Sequence, residues 1–529
     1  MRYFNTVGPV RCDEHYCLPP LDRIDLEDVM TLIDQQKYFV LHAPRQTGKT
    51  STLKALMVHL NHQRRFRCLY VNFEVAQGYR QNVSEGVTVL LREIGEKAAL
   101  TLGDTTAEAI AAEMIARPAP SLSVFLSRWC RASDQPTVLL IDEIDALVGD
   151  LLITVLRQLR AGCLDRPQAF PQSVILCGVR DVRDYRIRSD STRQIITGGS
   201  AFNIKAASLR LGDFSREDTE RLLMQHTSET GQRFEPEAMA AIWDLTQGQP
   251  WLVNALAYES CFQMREGRDR SRSISVELVF RAKENLIERR EVHLDQLADK
   301  LLEARVRQVI EALLVGDGMP ANVPEDDLQY VVDLGLIRRK PHVAIANPIY
   351  REIIPRTLTS VTQDTMVQQA AWYVRADGRL NMDELLSAFQ QFFREHSESW
   401  VERFNYREAG PQLLMQAFLQ RIVNGGGRIE REYGLGRKRT DLLILWPLAG
   451  ELGAGKPVQR VVIELKLLHG SLEATVAEGL AQTWAYADRC GAEESHLIIF
   501  DRTPGKPWEN KLFRREERHE GREITVWGM

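Results

Sequence analysis

The chain has 529 residues, a formal net charge of −5 and a pI near 6.2. That balance excludes a protein that coats nucleic acid through overall positive charge and leaves only local basic patches. Hydrophobic residues make up 44% of the chain, enough for several packed cores, and the length suits about three or four domains. There is no apolar run of about 18 residues, so no membrane span is expected. The opening stretch MRYFNTVGPVRCDEHYC lacks the apolar segment of a secretory signal. A cytoplasmic protein is therefore expected, with its eight scattered cysteines as free thiols. Cys12, His15 and Cys17 lie close together, but no second pair completes a four-ligand metal site.

In chain order, the first informative stretch is Lys37–Leu60, which reads as a β-prone run, a polar turn and a helix. The turn is APRQTGKT, the P-loop pattern with Ala43 in place of its leading glycine. Arg45, Gln46, Thr47, Gly48, Lys49, Thr50 and Ser51 form the expected phosphate cradle. There, successive amides at a helix start hold an anion. Lys49 would reach the β- and γ-phosphates, and the Thr50 hydroxyl would ligate Mg²⁺. About 90 residues on, PTVLLIDEIDAL runs four apolar residues into Asp142 and Glu143. Asp142 is placed to hold Mg²⁺ and Glu143 to polarise the attacking water. Ser173–Asp181 reads as the next buried strand, with Arg180 or Asp181 just past it as sensors of the γ-phosphate. Arg186, Arg188 and Arg193 are either arginine-finger candidates or plain surface residues. Two amphipathic helical stretches follow, the second containing Gly248-Gln249-Pro250.

These features resemble the AAA-like ATPases of the STAND and archaeal-ATPase branch, over about residues 1 to 270. The resemblance implies ATP and Mg²⁺ as cofactors, a parallel sheet and a helical lid. It also implies that Pro250 lies near the base, with the segment around RYFNTVGPV folded over the adenine. Such ATPases often complete a site in trans, so a homo-oligomer is expected. Downstream, Pro324–Arg356 reads as a helix, a turn at Gly335 and two short strands around RRKPH. That order resembles a winged helix, which would bind DNA or act as an internal lever. Arg338, Arg339 and Lys340 begin the wing. Asp326, Asp327 and Asp333 on the preceding helix repel phosphate and favour the lever.

The C-terminal part carries a second pattern. Tyr406–Val423 has helical spacing, RIEREY reads as a short strand, and Asp441–Trp446 and Val458–Lys466 read as a hairpin around a Pro/Gly-rich loop. A helix and the strand His496–Asp501 follow. Folding the hairpin sets Asp441 opposite Glu464, and alternation puts Glu464 and Lys466 on one face. Two readings compete: a surface Glu464–Lys466 salt bridge with Asp441 capping a strand, or two carboxylates that share a divalent ion beside a lysine. Gln482 and Tyr486 are four apart on one helix face. The basic Arg437–Arg439 is either a solvated turn or a phosphate contact.

This αβββαβ order, with Asp441, Glu464-Leu465-Lys466 and Gln482-x-x-x-Tyr486, resembles the PD-(D/E)xK nuclease superfamily over roughly residues 380 to 529. Thr440 departs from the proline of the superfamily's name. The resemblance implies metal at Asp441 and Glu464, with Mn²⁺ an alternative to Mg²⁺. It gives Lys466 the role of assisting a water, Gln482 and Tyr486 that of shaping the site, and Glu408 that of an additional helical carboxylate. The expected architecture is α/β and multidomain. It comprises an ATPase core over 1–212, a lid over 213–280, a winged-helix module over 281–356, a connector over 357–400 and a nuclease-like domain over 401–529. The expected function is an ATP-controlled DNA nuclease in bacterial genome defence, with a protein or phage-derived trigger. The alternatives are a non-cleaving ATP-dependent switch and a DNA-translocating ATPase with an attached nuclease.

Overall fold

The computed structural model describes residues 1–80, 82–116, 119–181, 186–188, 195–197, 202–289, 299–315, 323–358, 373–375, 377–401, 415, 418–419, 428–435, 438–448, 457–468, 470–501, 503 and 506–529. The chain divides into two compact units, residues 1–289 with 329–338, and 290–328 with 339–529.

The first unit is built on five strands: β1 (Tyr38–His42), β2 (Arg67–Asn72), β3 (Thr137–Asp142), β4 (Ser173–Gly178) and, after the short pair β5 (Arg186–Arg188) and β6 (Ile195–Thr197), β7 (Lys205–Arg210). Their order is β2-β3-β4-β1-β7, and every pairing is parallel. Successive side chains of a strand point to opposite faces. Tyr38, Val40, Leu139, Ile141, Val174 and Leu176 accordingly enter one core with the helices Val83–Leu102, Leu122–Arg131 and Gly149–Gly162. Phe39, Leu41, Val138, Leu140 and Ile175 enter the other, against Leu26–Asp34 and Lys49–Gln63. Burial on both faces is why these strands read as continuous apolar runs. The longer helices Arg216–Thr230, Pro236–Thr246, Pro250–Tyr258 and Val276–Glu288 follow β7. The unit also includes β8 (Ile337–Arg338).

Cys12 and Cys17 are joined as a disulfide, against the expectation of free thiols throughout. The six remaining cysteines are free, and five of them are buried.

The second unit contains β9 (Ala344–Ile345) and a mixed sheet of β10 (Arg428–Leu435), β11 (Lys438–Pro447), β12 (Val458–Leu467), β13 (Glu494–Phe500), β14 (Phe513–His519) and β15 (Arg522–Gly528). The order is β10-β11-β12-β13-β15-β14. The β10–β11 and β11–β12 pairs are antiparallel and β12–β13 is parallel, its crossover being the helix Leu472–Cys490. The β14–β15 hairpin lies beyond the strands read from the sequence. Its first strand alternates between part-buried and exposed positions and is mostly charged, so it lacks an apolar signature. One face of the sheet (Leu442, Ile444, Val461, Ile463, Ile498) packs on Leu385, Phe389 and Phe393 of the helix Met382–Val401. The other face (Leu443, Val462, Leu497, Ile499) receives Val476, Leu480 and Tyr486 of the crossover helix.

Candidate functional site

The β1, β3 and β4 strands are parallel neighbours, so their C-terminal ends meet at one edge of the sheet, where loops of open α/β sheets bind ligands. The loop after β1 turns at Gly48, whose φ of 92° is favourable only without a side chain. A Cβ there would also stand 2.7 Å from an Arg23 guanidinium nitrogen. Ala43 is fully buried in the core and needs no left-handed backbone, which accounts for the missing first glycine. Lys49 begins the helix, is 6% exposed, and donates from Nζ to the Ala43 and Pro44 carbonyls at 3.0 and 2.9 Å. Thr47 is buried and its hydroxyl donates to the Pro44 carbonyl, while Arg45 and Gln46 are exposed.

At the end of β3, Asp142 is fully buried. Its Oδ2 accepts from the Thr50 hydroxyl at 2.7 Å and from the Tyr70 hydroxyl at 2.9 Å, and its Oδ1 accepts from the Glu143 amide at 3.0 Å. A hydroxyl and a carboxylate side by side are the hard oxygen pair that suits Mg²⁺. Burial, then the neighbouring Asp142 charge, pushes the Tyr70 phenol far up, so it remains a donor. Glu143 has a φ of 52°, an uncommon value for a side-chain-bearing residue. Burial, followed by repulsion from Asp145, raises its carboxyl above the ordinary range against the pull of Lys49.

The residues past β4 are already engaged. Arg180 lies over the Tyr330 ring at 4.7 Å and pairs with Asp333 at 3.4 Å. Asp181 forms a buried ion pair with Lys205. Asp333, expected among phosphate-repelling residues of a recognition helix, is instead 2% exposed. Arg186 and Arg188 lie in β5 opposite β6, and Arg193 lies outside the described residues.

A cleft of about 720 Å³, open mouth included, lies beside the loop. Its lining includes Thr6, Gly8, Gly48, Ser51, Pro250 and Trp251. Val10 donates its amide to the Ser51 hydroxyl at 3.0 Å, and the Trp251 indole donates to the Thr6 carbonyl at 2.9 Å. Gln249 caps the helix that Pro250 begins. Tyr70 and Arg23 were not found from the sequence, since neither belongs to a motif near the loop. The only signal for Tyr70 was its place in a strand ending beside β3.

In the second unit, Glu464 and Lys466 share the sheet face that receives the crossover helix. Glu464 is 3% exposed. Lys466 Nζ lies 3.4 Å from Glu464 Oε1, donates to the Gln482 side-chain carbonyl, and lies 3.7 Å from Glu478. Gln482 in turn donates to Glu478 at 3.1 Å. Tyr486 is buried one turn further on. Leu442 pairs with Ile463, which puts Asp441 at the register position across from Glu464. The side chain of Asp441, all of Glu408 and Arg437 lie outside the described residues. Among the described residues no group of three His, Cys, Asp or Glu side chains converges as a metal site. Among them, too, no helix is long and apolar enough to cross a membrane.

Residues 33–185 match the family model described as "AAA domain". No curated protein matches the chain. Among solved structures, the chain is similar to a Walker-type ATPase of Pyrococcus abyssi at 13% identity and a TM-score of 0.45, covering 66% of this chain and 99% of that one. The RuvB Holliday junction branch migration motor of Thermotoga maritima is similar at 15% identity and a TM-score of 0.34, covering 64% and 98%. Cdc6p of Pyrobaculum aerophilum is similar at 16% identity and a TM-score of 0.34, covering 69% and 97%.

Proposed function

We propose that this chain, which carries an AAA-type P-loop ATPase domain, uses ATP to govern a metal-dependent nuclease in its second unit, with DNA as substrate. In the first unit Lys49 would steady the β- and γ-phosphates, Thr50 and Asp142 would hold Mg²⁺, and Glu143 would accept a proton from water. One observation carries the nuclease half: Glu464, Lys466 and Gln482 converge between β12 and the crossover helix, with Asp441 at the facing register position. A divalent ion bound by Asp441 and Glu464 would supply positive charge and an acidified water. Lys466, anchored by Gln482, orients its ammonium toward the reacting phosphate, and buried Tyr486 shapes the wall. Glu408 is assigned the remaining carboxylate.

A second reading, a non-cleaving ATP-dependent switch, draws on the engagement of Arg180 by Asp333 and Tyr330, since a cation so occupied suits a resting state. On this reading, which draws on the resemblance to ATPase–nuclease fusions, the protein would act in the bacterial cytoplasm as a genome-defence effector, as a homo-oligomer under a protein or phage-derived trigger.

The test is cleavage of linear, circular and single-stranded DNA with Mg²⁺ or Mn²⁺, with and without ATP, by the native chain, Asp441→Ala and Lys49→Ala. Cleavage that disappears in Asp441→Ala and loses its ATP response in Lys49→Ala is expected. Cleavage surviving in Asp441→Ala would refute the metal site, and no cleavage under any condition would favour the switch.

A further inference from the structure

Arg23 stands well before the P-loop in sequence, at the end of the short helical turn Pro20–Arg23. Its guanidinium nevertheless donates to the carbonyl of Thr47, at the apex of the loop, and to the carbonyl of Gly212, past the end of β7. It lies over the Phe214 ring at 4.8 Å. The Phe214 amide donates to the Gly248 carbonyl at 2.8 Å, so one side chain ties the phosphate loop to the turn that begins the Pro250 helix. Arg23 also lines the cleft beside Gly48, Ser51 and Phe214.

The Thr47–Gly48 peptide is trans and planar, so its carbonyl and its N–H point in opposite directions. Holding the Thr47 oxygen against Arg23 therefore turns the Gly48 N–H away from the guanidinium. Polarising the carbonyl also strengthens that N–H as a donor. We propose that Arg23 is a positioning residue for nucleotide phosphate: it fixes the Thr47–Gly48 peptide plane so that the Gly48 amide is aimed at the anion before the anion arrives. This rests on the nucleotide-binding reading of the first unit. Burial lowers the Arg23 pKa to about 10, with Asp213 and Asp218 opposing, so the group is still a cation at neutral pH. Its charge is spent on two carbonyls and does not need to touch the ligand.

A brace that only kept the cleft open would serve base and phosphate alike, whereas aiming an amide serves phosphate alone. The experiment titrates the full chain with ADP and with adenosine, for the native protein, Arg23→Ala and Arg23→Lys, beside thermal melting without nucleotide. For Arg23→Ala we expect ADP affinity to fall at least about ten-fold and adenosine affinity less than about two-fold, the loss of one aimed, partly charge-assisted hydrogen bond. Arg23→Lys, able to hold one carbonyl, falls between. Equal losses for ADP and adenosine, or an ADP affinity unchanged in Arg23→Ala, would overturn the proposal. Should Arg23→Ala fail to fold, Arg23→Lys decides by the same comparison: a loss confined to ADP supports the proposal and an equal loss overturns it. A native chain that binds no ADP would defeat the nucleotide reading itself and this inference with it.

Discussion

Replacing Asp142 by Asn separates function from stability. The carboxylate is fully buried and accepts from the Thr50 and Tyr70 hydroxyls and the Glu143 amide, with the buried Cys177 thiol also bonded to it. In Asn one oxygen remains to accept the Glu143 amide, and the new NH₂ faces Thr50 and Tyr70. Both hydroxyls can rotate to accept instead of donate. Neither hydroxyl nor the Glu143 amide is left unpaired, only the weak Cys177 thiol donor loses a charged partner, and the desolvation of a buried charge is relieved. The stability of the first unit should therefore change by no more than about 1 kcal/mol in either direction, or about 2–4 °C in melting temperature. Mg²⁺-dependent ATP turnover should fall at least about 100-fold, because the negative oxygen for the cation is gone. Calorimetric melting and a phosphate-release assay measure the two effects. Turnover within about three-fold of native would show that Asp142 does not hold the metal. A loss of more than about 3 kcal/mol would show that the hydroxyls cannot reverse.

Gly248→Ala should destabilise the first unit by about 2–4 kcal/mol in denaturant unfolding, because φ is +78° there and a Cβ would stand 2.0 Å from the Phe214 carbonyl oxygen. Unchanged unfolding would contradict that backbone geometry. Since the Glu143 carboxyl is raised mainly by burial, the acid limb of ATP turnover should lie above the ordinary value of 4.5 and vanish in Glu143→Gln with the activity itself. The same shift means that the folded state binds this proton more tightly than the unfolded state. Its contribution to stability is therefore present at low pH and lost as pH rises through the elevated pKa. An acid limb at or below the ordinary carboxylate range would refute the assignment. Glu464→Gln should abolish DNA cleavage and leave ATP turnover within about two-fold. Equal cleavage by that variant would dismiss the second site.

Much of the first unit is legible in the chain itself. A strand buried on both faces must be apolar throughout, so β1, β3 and β4 announce themselves, and the polar residues that interrupt them, Gly48-Lys49-Thr50 and Asp142-Glu143, stand out against that background. The pairing of Glu464 with Lys466 follows from strand alternation alone, and the position of Asp441 from folding a hairpin about its Pro/Gly loop. These are local periodicities, carried by neighbours in sequence. What the sequence could not supply are contacts between residues far apart along the chain. Nothing in a lone Tyr70 says that β2 lies beside β3 and delivers its hydroxyl to Asp142. Nothing in Asp333 says that it leaves solvent to pair with Arg180, nor in Cys12 and Cys17 that they join. The edge strand β14, charged along its exposed side, is a strand only because β15 pairs with it. Arg23 reaches Thr47 and Gly212 because the sheet brings the chain's ends of β1 and β7 together. Periodicity is set by covalent geometry and can be read one residue after another, whereas these partners are chosen by packing, which only the folded chain performs.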